Sequence, residues 1–180
     1  MPQSFTFDDS LRKYAIPRDA FLKTLDSQYD KLVVGIVIPQ KDSDRTRILY
    51  VQRAATEHHY PNSYEIPGGK VDAEDETVLH AAVRETFEET GLRVVHLAGE
   101  FEALSYTTES FSADGKPVVR ASLQLNFVAR VEAFEPVTLN PLEHQTYTWV
   151  AEDEVEDLPS SVEMKGVMRN VFKYLRHTTM

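Results

Sequence analysis

The chain has 180 residues and a net charge of −10, with 42% apolar and 27% charged residues. This globular balance suits one well-cored domain with short terminal additions. We find no basic patch that would suit a nucleic-acid duplex, and no apolar run of the roughly 20 residues that span a bilayer. The lack of cysteine excludes disulfides and thiolate metal sites and fits a reducing compartment. The sequence therefore predicts a cytoplasmic protein without nucleic-acid or membrane partners, and it leaves a homodimer open.

Residues 1–30 are predicted as an N-terminal extension and residues 31–180 as the main domain. Within the extension, apolar residues at helical spacing predict a short helix over residues 19–29. Apolar runs predict strands at 32–38 and 47–53, joined by a polar turn. The first contains the longest apolar run of the chain and reads as a buried strand.

The second half of the chain alternates strand and helix patterns. A helix is predicted from residue 75 or 76 to residue 90, with Gly91 at its C-terminal cap. Ser160 and Glu163 form a potential capping box for a last helix, whose apolar stripe indicates core packing. Further strands are predicted at 64–66, 92–97, 101–111, 117–131 and 145–150. Hairpin-linked strands with two long helices to cover them predict an α+β fold, arranged as an α/β/α sandwich.

Three carboxylates share one quadrant of the predicted helix, namely Glu85, Glu88 and Glu89. A solvated acidic face would point away from the apolar stripe, yet Glu89 projects between Val78 and Ala82. Like charges four residues apart destabilise a helix, and anions near its C-terminal end oppose the macrodipole. Such a costly cluster indicates a site for a hard cation, of which Mg²⁺ is the usual choice beside phosphates.

The segment from residue 68 to residue 92 resembles the Nudix box, Gly-x5-Glu-x7-Arg-Glu-U-x-Glu-Glu-x-Gly-U, where U is a bulky aliphatic residue. From Glu76 onward every spacing agrees, and the flanking strands at 64–66 and 147–150 are also similar to the family. The matching residues are Gly69, Glu76, Arg84, Glu85, Glu88, Glu89, Gly91 and Leu92. The resemblance covers roughly residues 31–175 and implies a pyrophosphate-cleaving hydrolase.

Two positions depart from the family pattern. Six residues separate Gly69 from Glu76 where the pattern has five, so Glu74 or Asp75 could share the role of Glu76. Thr86 stands where an aliphatic residue is expected. Because it faces the core, we expect its hydroxyl to bond to the backbone carbonyl four residues earlier.

The resemblance implies that the box binds Mg²⁺, or Mn²⁺ as a substitute, on the pyrophosphate of a nucleotide substrate. Glu85, Glu88 and Glu89 would be the side-chain ligands, and the Gly68 carbonyl could add another. Arg84 would hold the site together by pairing with Glu76 or a box glutamate.

The resemblance also implies that the general base would be either Glu88 or Glu89 of the box or a later acidic residue. Glu143, six residues before Trp149, is the later candidate. An ordinary loop carboxylate is the alternative interpretation of this residue.

Weaker candidates for substrate contact are Arg53, Tyr64 and His144. Arg53 could instead be a surface arginine, and Tyr64 could instead pack in the core. Tyr106 and Phe111 could line a nucleoside pocket or pack in the sheet.

The box does not select a substrate, because specificity lies in the strands and loops outside it. Nucleoside triphosphates, nucleotide sugars such as ADP-ribose and dinucleoside polyphosphates all remain open. The single-domain size gives a small preference to the triphosphates. A catalytically inactive nucleotide-binding or scaffold module is the alternative, although such modules usually lose box glutamates.

Overall fold

The computed structural model describes residues 4–26, 28–42, 44–112 and 114–178. Within these residues the helices are α1 (Arg18–Thr24), α2 (Val78–Thr90) and α3 (Val162–His177), with 3₁₀ helices at Asp9–Tyr14 and Glu152–Asp157. The strands are β1 (Thr6–Phe7), β2 (Lys31–Val37), β3 (Pro39–Lys41), β4 (Thr46–Arg53), β5 (Tyr64–Glu65), β6 (Gly68–Lys70), β7 (Val94–Phe111), β8 (Pro117–Val131) and β9 (His144–Ala151). No helix among these residues is long and apolar enough to cross a membrane.

The strands form two sheets between the helices. The first has the order β1-β7-β8-β2-β6, in which β1 lies parallel to β7 and β2 parallel to β8, while the other pairs are antiparallel. In the second sheet β4 pairs antiparallel with β3, β5 and β9. Helix α2 packs against the first sheet, and α3 packs against β7 and covers a second apolar cluster to which both sheets contribute. The prediction of an α+β sandwich with a mixed sheet between helices is confirmed.

The N-terminal segment is part of this core. Leu11, Tyr14 and Phe21 are buried in the cluster under α2, and β1 extends the first sheet at its edge. Removing residues 1–30 would therefore expose apolar surface of the first sheet.

Local capping residues set the ends of α2. The Thr77 side chain accepts a hydrogen bond from the His80 amide, so the helix begins two or three residues later than predicted. Gly91 ends it with a left-handed φ of 70° and donates its amide to the Phe87 carbonyl, as predicted. The Thr86 hydroxyl donates to the Ala82 carbonyl at 2.8 Å, which confirms the expected partner.

Long-range pairing changes several predicted strands and one helix. The predicted strands at 32–38 and 47–53 lie in different sheets, because the chain crosses between them at Ile38 and β3 becomes the hairpin partner of β4. The predicted strands at 92–97 and 101–111 form a single strand, β7, whose register shifts accommodate the irregular segment between them. Helix α1 is shorter than the predicted helix over 19–29.

The N-terminus of α3 is capped by a different serine from the one predicted. Ser161 accepts from the Met164 amide, whereas the Ser160 hydroxyl donates to the Tyr64 carbonyl and ties the helix to β5. The prediction of a Ser160–Glu163 capping box was wrong. The predicted apolar stripe does face the core, where Val167 and Met168 are buried.

Candidate active site

Helix α2 directs two of its three glutamates into the protein. Glu89 is 4% exposed and Glu85 is 9% exposed, whereas the Glu88 side chain is 53% exposed. The expected inward projection of Glu89 is therefore observed. Glu88 lies at the rim of the same site, where it accepts a hydrogen bond from Arg84 at 2.9 Å.

The two glycines of β6 bring the backbone against these carboxylates. The Gly68 amide donates to Glu89 Oε2 at 2.8 Å, so one oxygen of this side chain is held in place. A Cβ at Gly69 would lie 2.5 Å from Glu85 Oε2. The glycines therefore let the main chain approach the two carboxylates closely.

Alanine substitutions at these two glycines are expected to have different effects. A Cβ at Gly68 would lie 2.1 Å from the Val34 carbonyl oxygen. An alanine at this position would also have to adopt a φ of 155°, so Gly68→Ala should destabilise the fold. At Gly69 the neighbour is the flexible end of Glu85, so Gly69→Ala should stay folded and lose divalent-ion affinity. Thermal unfolding and calorimetric titration with Mn²⁺ would measure the two effects. Equal stability losses in both variants would contradict this interpretation.

Burial and mutual repulsion make the inner carboxylates difficult to ionise. Burial raises the pKa of Glu89 well above its ordinary value, and the nearby Glu65, Glu85 and Glu143 raise it further, while the hydrogen bond from Gly68 opposes the shift. Burial also raises the pKa of Glu85, against the lowering effect of Arg84. A cation between these groups would relieve both penalties.

Arg84 fixes the outer edge of this cluster. Its guanidinium donates to both oxygens of Asp75 at 2.8 Å, to Glu85 at 2.8 Å and to Glu88 at 2.9 Å. The expected pairing with box glutamates is thus observed. The partner in the preceding loop is Asp75 instead of Glu76, which is exposed and lies 3.5 Å from His80. The additional residue before the helix shifts this role by one position.

The loop before β9 brings two further groups to the cluster. The Asn140 side chain donates to Glu143 Oε1 at 2.9 Å and orients this exposed carboxylate. His144 is only 2% exposed, and its Nε2 lies 3.5 Å from Glu65 Oε1. Glu89, Glu143 and His144 each offer one ligand atom, and these three atoms lie within 4.8 Å of one another.

Arg53 lies in the wall of a cleft beside Gly68 and Gly69, but its three side-chain nitrogens already donate hydrogen bonds. It donates to Glu65 at 2.8 Å, to Glu57 at 2.7 Å and to the His59 carbonyl at 2.8 Å. These bonds hold the segment after β4 against β5. A contact with substrate phosphates stays a prediction and would require Arg53 to exchange one of these partners.

A cleft of about 250 Å³ adjoins Gly68 and Gly69. Tyr106 and Met164 contribute to its lining together with Gln124. Of the described residues, those lining the cleft do not include Tyr64, which packs against the second core cluster. Phe111 is 78% exposed.

Gln124 in this cleft belongs to a row of polar side chains on β8, a feature that we did not predict. The Asn126 amide donates to the Glu102 carbonyl, and its oxygen accepts from Gln124 Nε2 at 2.8 Å. Both amides are buried on the same face of β8 as Ser122. The alternation of Ser122, Gln124 and Asn126 in an otherwise apolar strand was the available sequence signal.

The donor set fits a hard divalent cation. The site offers several carboxylate oxygens, and such ligands suit Mg²⁺ or Mn²⁺. The oxygen Glu89 Oε2 is held by a backbone amide, and the buried carboxylates Glu85 and Glu89 carry raised pKa values that a bound cation would lower.

Comparisons with known proteins agree with this geometry. The family model of the NUDIX domain matches residues 30–171. The asymmetrical bis(5'-nucleosyl)-tetraphosphatase of Rattus norvegicus is 29% identical over 145 residues, which cover 79% of this chain and 89% of that protein.

Solved structures share the fold. The NUDIX domain of Shewanella oneidensis NrtR, complexed with ADP ribose, has a TM-score of 0.62 at 17% identity and covers 85% of this chain and 97% of its own. A C. elegans Ap4A hydrolase has a TM-score of 0.59 at 25% identity and covers 82% of this chain and 99% of its own. Because the family model spans most of the sequence, the predicted Nudix hydrolase assignment is confirmed and the chain belongs to the NUDIX family.

Proposed function

We propose that the protein is a Mg²⁺-dependent pyrophosphohydrolase that cleaves a phosphoanhydride bond in a nucleoside diphosphate linked to another group. The observation that carries this proposal is the pair of buried carboxylates, Glu85 and Glu89, held against Gly68 and Gly69. Arg84 is an ion-pair partner for Glu85, but no described cationic side chain forms an ion pair with Glu89, whose burial is unfavourable without a cation. Their retention beside an open cleft supports a catalytic use.

The residues proposed to hold Mg²⁺ are Glu85, Glu88 and Glu89, with the Gly68 carbonyl as a further candidate. When bound, Mg²⁺ would supply charge neutralisation at the phosphate oxygens and orientation of water and leaving group. Arg84 keeps Glu85 and Glu88 together through its hydrogen bonds.

Two assignments of the proton acceptor for the attacking water are compatible with the site. Glu143 is exposed, oriented by Asn140 and close to Glu89. The rival assignment uses Glu88 or Glu89 of the box. Either carboxylate would act as general base on water.

Dinucleoside polyphosphates are the substrate class that we propose to test first. The relative of 29% identity is named as an asymmetrical bis(5'-nucleosyl)-tetraphosphatase. The cleft beside the cluster offers the aromatic ring of Tyr106 and the amide of Gln124, which suit a nucleobase. The size-based preference for nucleoside triphosphates has weaker support than this combination.

A substrate panel with Mg²⁺ tests the proposal. Diadenosine tetraphosphate, ATP and ADP-ribose would be incubated with the protein, and products would be separated by anion-exchange chromatography. We expect asymmetrical cleavage of the tetraphosphate to AMP and ATP, dependent on the cation. Nucleotide binding without any hydrolysis across the panel would instead support the inactive binding module.

Glu143→Gln, assayed for kcat and for divalent-ion affinity together, tests Glu143 as the base, because loss of a metal ligand would lower the affinity as well. If Glu143 accepts the proton, kcat should fall by about 100-fold or more with little change in KM. Glu109→Gln, an exposed carboxylate on β7, is the matched control and should retain the parental rate. An unchanged kcat in the Glu143 variant would assign the base to the box.

A further inference from the structure

One buried histidine lacks the hydrogen bonds that its burial requires. Among the described residues, neither ring nitrogen of His144 has a hydrogen-bond partner, although the residue is 98% buried. Buried polar side chains are normally paired, because an unsatisfied nitrogen loses its water without compensation. The unpaired ring therefore indicates a ligand, and the carboxylates of Glu89 and Glu143 beside it indicate that this ligand is a cation.

We propose that His144, Glu89 and Glu143 form an ion position that takes an imidazole nitrogen as a ligand. The three ligand atoms lie within 4.8 Å of one another. Ligands on one ion lie no farther apart than about twice a bond of roughly 2.1 Å, so a small rotation would bring these groups to a common ion. Glu143 is exposed on a loop and would make that rotation by exchanging its hydrogen bond from Asn140, while Glu89 and His144 are buried.

One feature beside the ring is common among metal-bound histidines. Such a ring usually has a carboxylate beside its other nitrogen, which sets its orientation and tautomer. Glu65 lies beside the ring, with Oε1 at 3.5 Å from Nε2, and is itself fixed by Arg53 at 2.8 Å. Arg53 thus becomes a positioning residue that acts through Glu65.

A nitrogen ligand changes which cation the position prefers. Mg²⁺ favours oxygen ligands, whereas Mn²⁺, Co²⁺ and Zn²⁺ accept imidazole readily. The position is therefore selective for a divalent transition metal, while the oxygen-rich side at Glu85 and Glu88 suits Mg²⁺. In this arrangement Glu143 is a ligand, and the proton of the attacking water passes to a box glutamate. The inference relies on the proposed function for the use of the ion, but not for its binding.

Electron spin echo spectroscopy of the full chain loaded with Mn²⁺ tests the proposal on the unaltered protein. A directly bound imidazole modulates the Mn²⁺ echo through its nitrogen nuclei, so we expect ¹⁴N modulation in the parent. His144→Gln should abolish this modulation and weaken Mn²⁺ binding by about tenfold or more in calorimetric titration. His58→Gln, an exposed histidine, is the matched control and should leave both unchanged. Glu143→Gln should also weaken Mn²⁺ binding.

The outcomes separate this inference from the proposed function. A parent that lacks ¹⁴N modulation, or a Glu143 variant with unchanged Mn²⁺ affinity, would overturn the three-ligand position even if Mg²⁺-dependent hydrolysis is observed. Conversely, ¹⁴N modulation that His144→Gln removes would support the position even if no phosphoanhydride is cleaved. If the His144 variant unfolds, the parent spectrum and the Mn²⁺ titration of the Glu143 variant still test the three-ligand position.

Discussion

Glu89→Gln is expected to lower kcat by about a thousandfold, the scale on which removal of one preorganised electrostatic group impairs an enzyme. The glutamine oxygen can still accept the hydrogen bond from the Gly68 amide, so the local backbone should keep its position. What is lost is the negative charge that we propose to bind the cation. Steady-state hydrolysis at saturating Mg²⁺ measures the effect, with Glu109→Gln as the control. A variant that retains parental turnover would remove Glu89 from the mechanism.

The same substitution is expected to stabilise the metal-free protein. Because burial raises the pKa of Glu89, the folded protein binds this proton more tightly than the unfolded chain does. This contribution to stability is present at low pH and is lost as the pH rises from the ordinary value of 4.5 through the raised one. In EDTA at neutral pH, Glu89→Gln should therefore raise the free energy of unfolding by on the order of 1 kcal/mol, and the variant should unfold at a higher temperature. Adding Mn²⁺ should stabilise only the parent; a lower Tm for the variant in EDTA would contradict this explanation.

Arg84→Ala is expected to cost about 3 kcal/mol of the free energy of unfolding, the lower end for breaking a buried ion pair. The Asp75 side chain is 6% exposed and depends on Arg84 for two hydrogen bonds, while the guanidinium is 28% exposed. Removing the arginine leaves the Asp75 carboxylate buried without its cation, and it also releases Glu85 and Glu88. Turnover should fall as well, since two proposed ligands lose their orientation. Arg120→Ala, on an exposed position of β8, should change stability by less than about 0.5 kcal/mol.

The pH dependence of stability provides a second measurement of the same interaction. Burial opposes ionisation of Asp75, but the hydrogen bonds from Arg84 and from the Asp72 amide outweigh it and hold the pKa of Asp75 below its ordinary value of 3.8. A carboxyl with a lowered pKa contributes stability above its unfolded value, and this is lost as the pH falls through the folded value. Denaturant titrations between neutral and acidic pH should show this loss in the parent and a smaller one in Arg84→Ala. Identical acid sensitivity in both proteins would show that Arg84 does not stabilise the Asp75 carboxylate.

Sequence patterns predicted the positions of helices and strands better than they predicted which strands pair. The helical periodicity placed α2 and α3, and the Gly91 cap was visible because only glycine readily adopts the left-handed conformation found there. The pairing of β3 with β4, and of β2 with β8, depends on contacts distant in sequence, which an apolar run does not specify. The choice of Ser161 over Ser160 as a cap was equally hidden, because it depends on the position of β5.

The candidate site likewise has features that the sequence predicted and features that it did not. The quadrant shared by Glu85 and Glu89 follows from helix geometry, and both side chains are buried there. The hydrogen bond from Gly68 to Glu89 and the approach of Glu65 to His144 come from other strands, so residue spacing could not predict them. The polar row on β8 that includes Gln124 was missed because an amide within an apolar strand resembles an ordinary edge position until the neighbouring strands are known.

Anomalous diffraction from crystals soaked in Mn²⁺ is the most direct test of whether the α2 carboxylates bind a cation. We expect an anomalous peak bounded by Glu85, Glu89 and the Gly68 main chain, which disappears in crystals of Glu89→Gln. A fully soaked crystal with no peak between these groups, or with an undiminished peak in the variant, would contradict it.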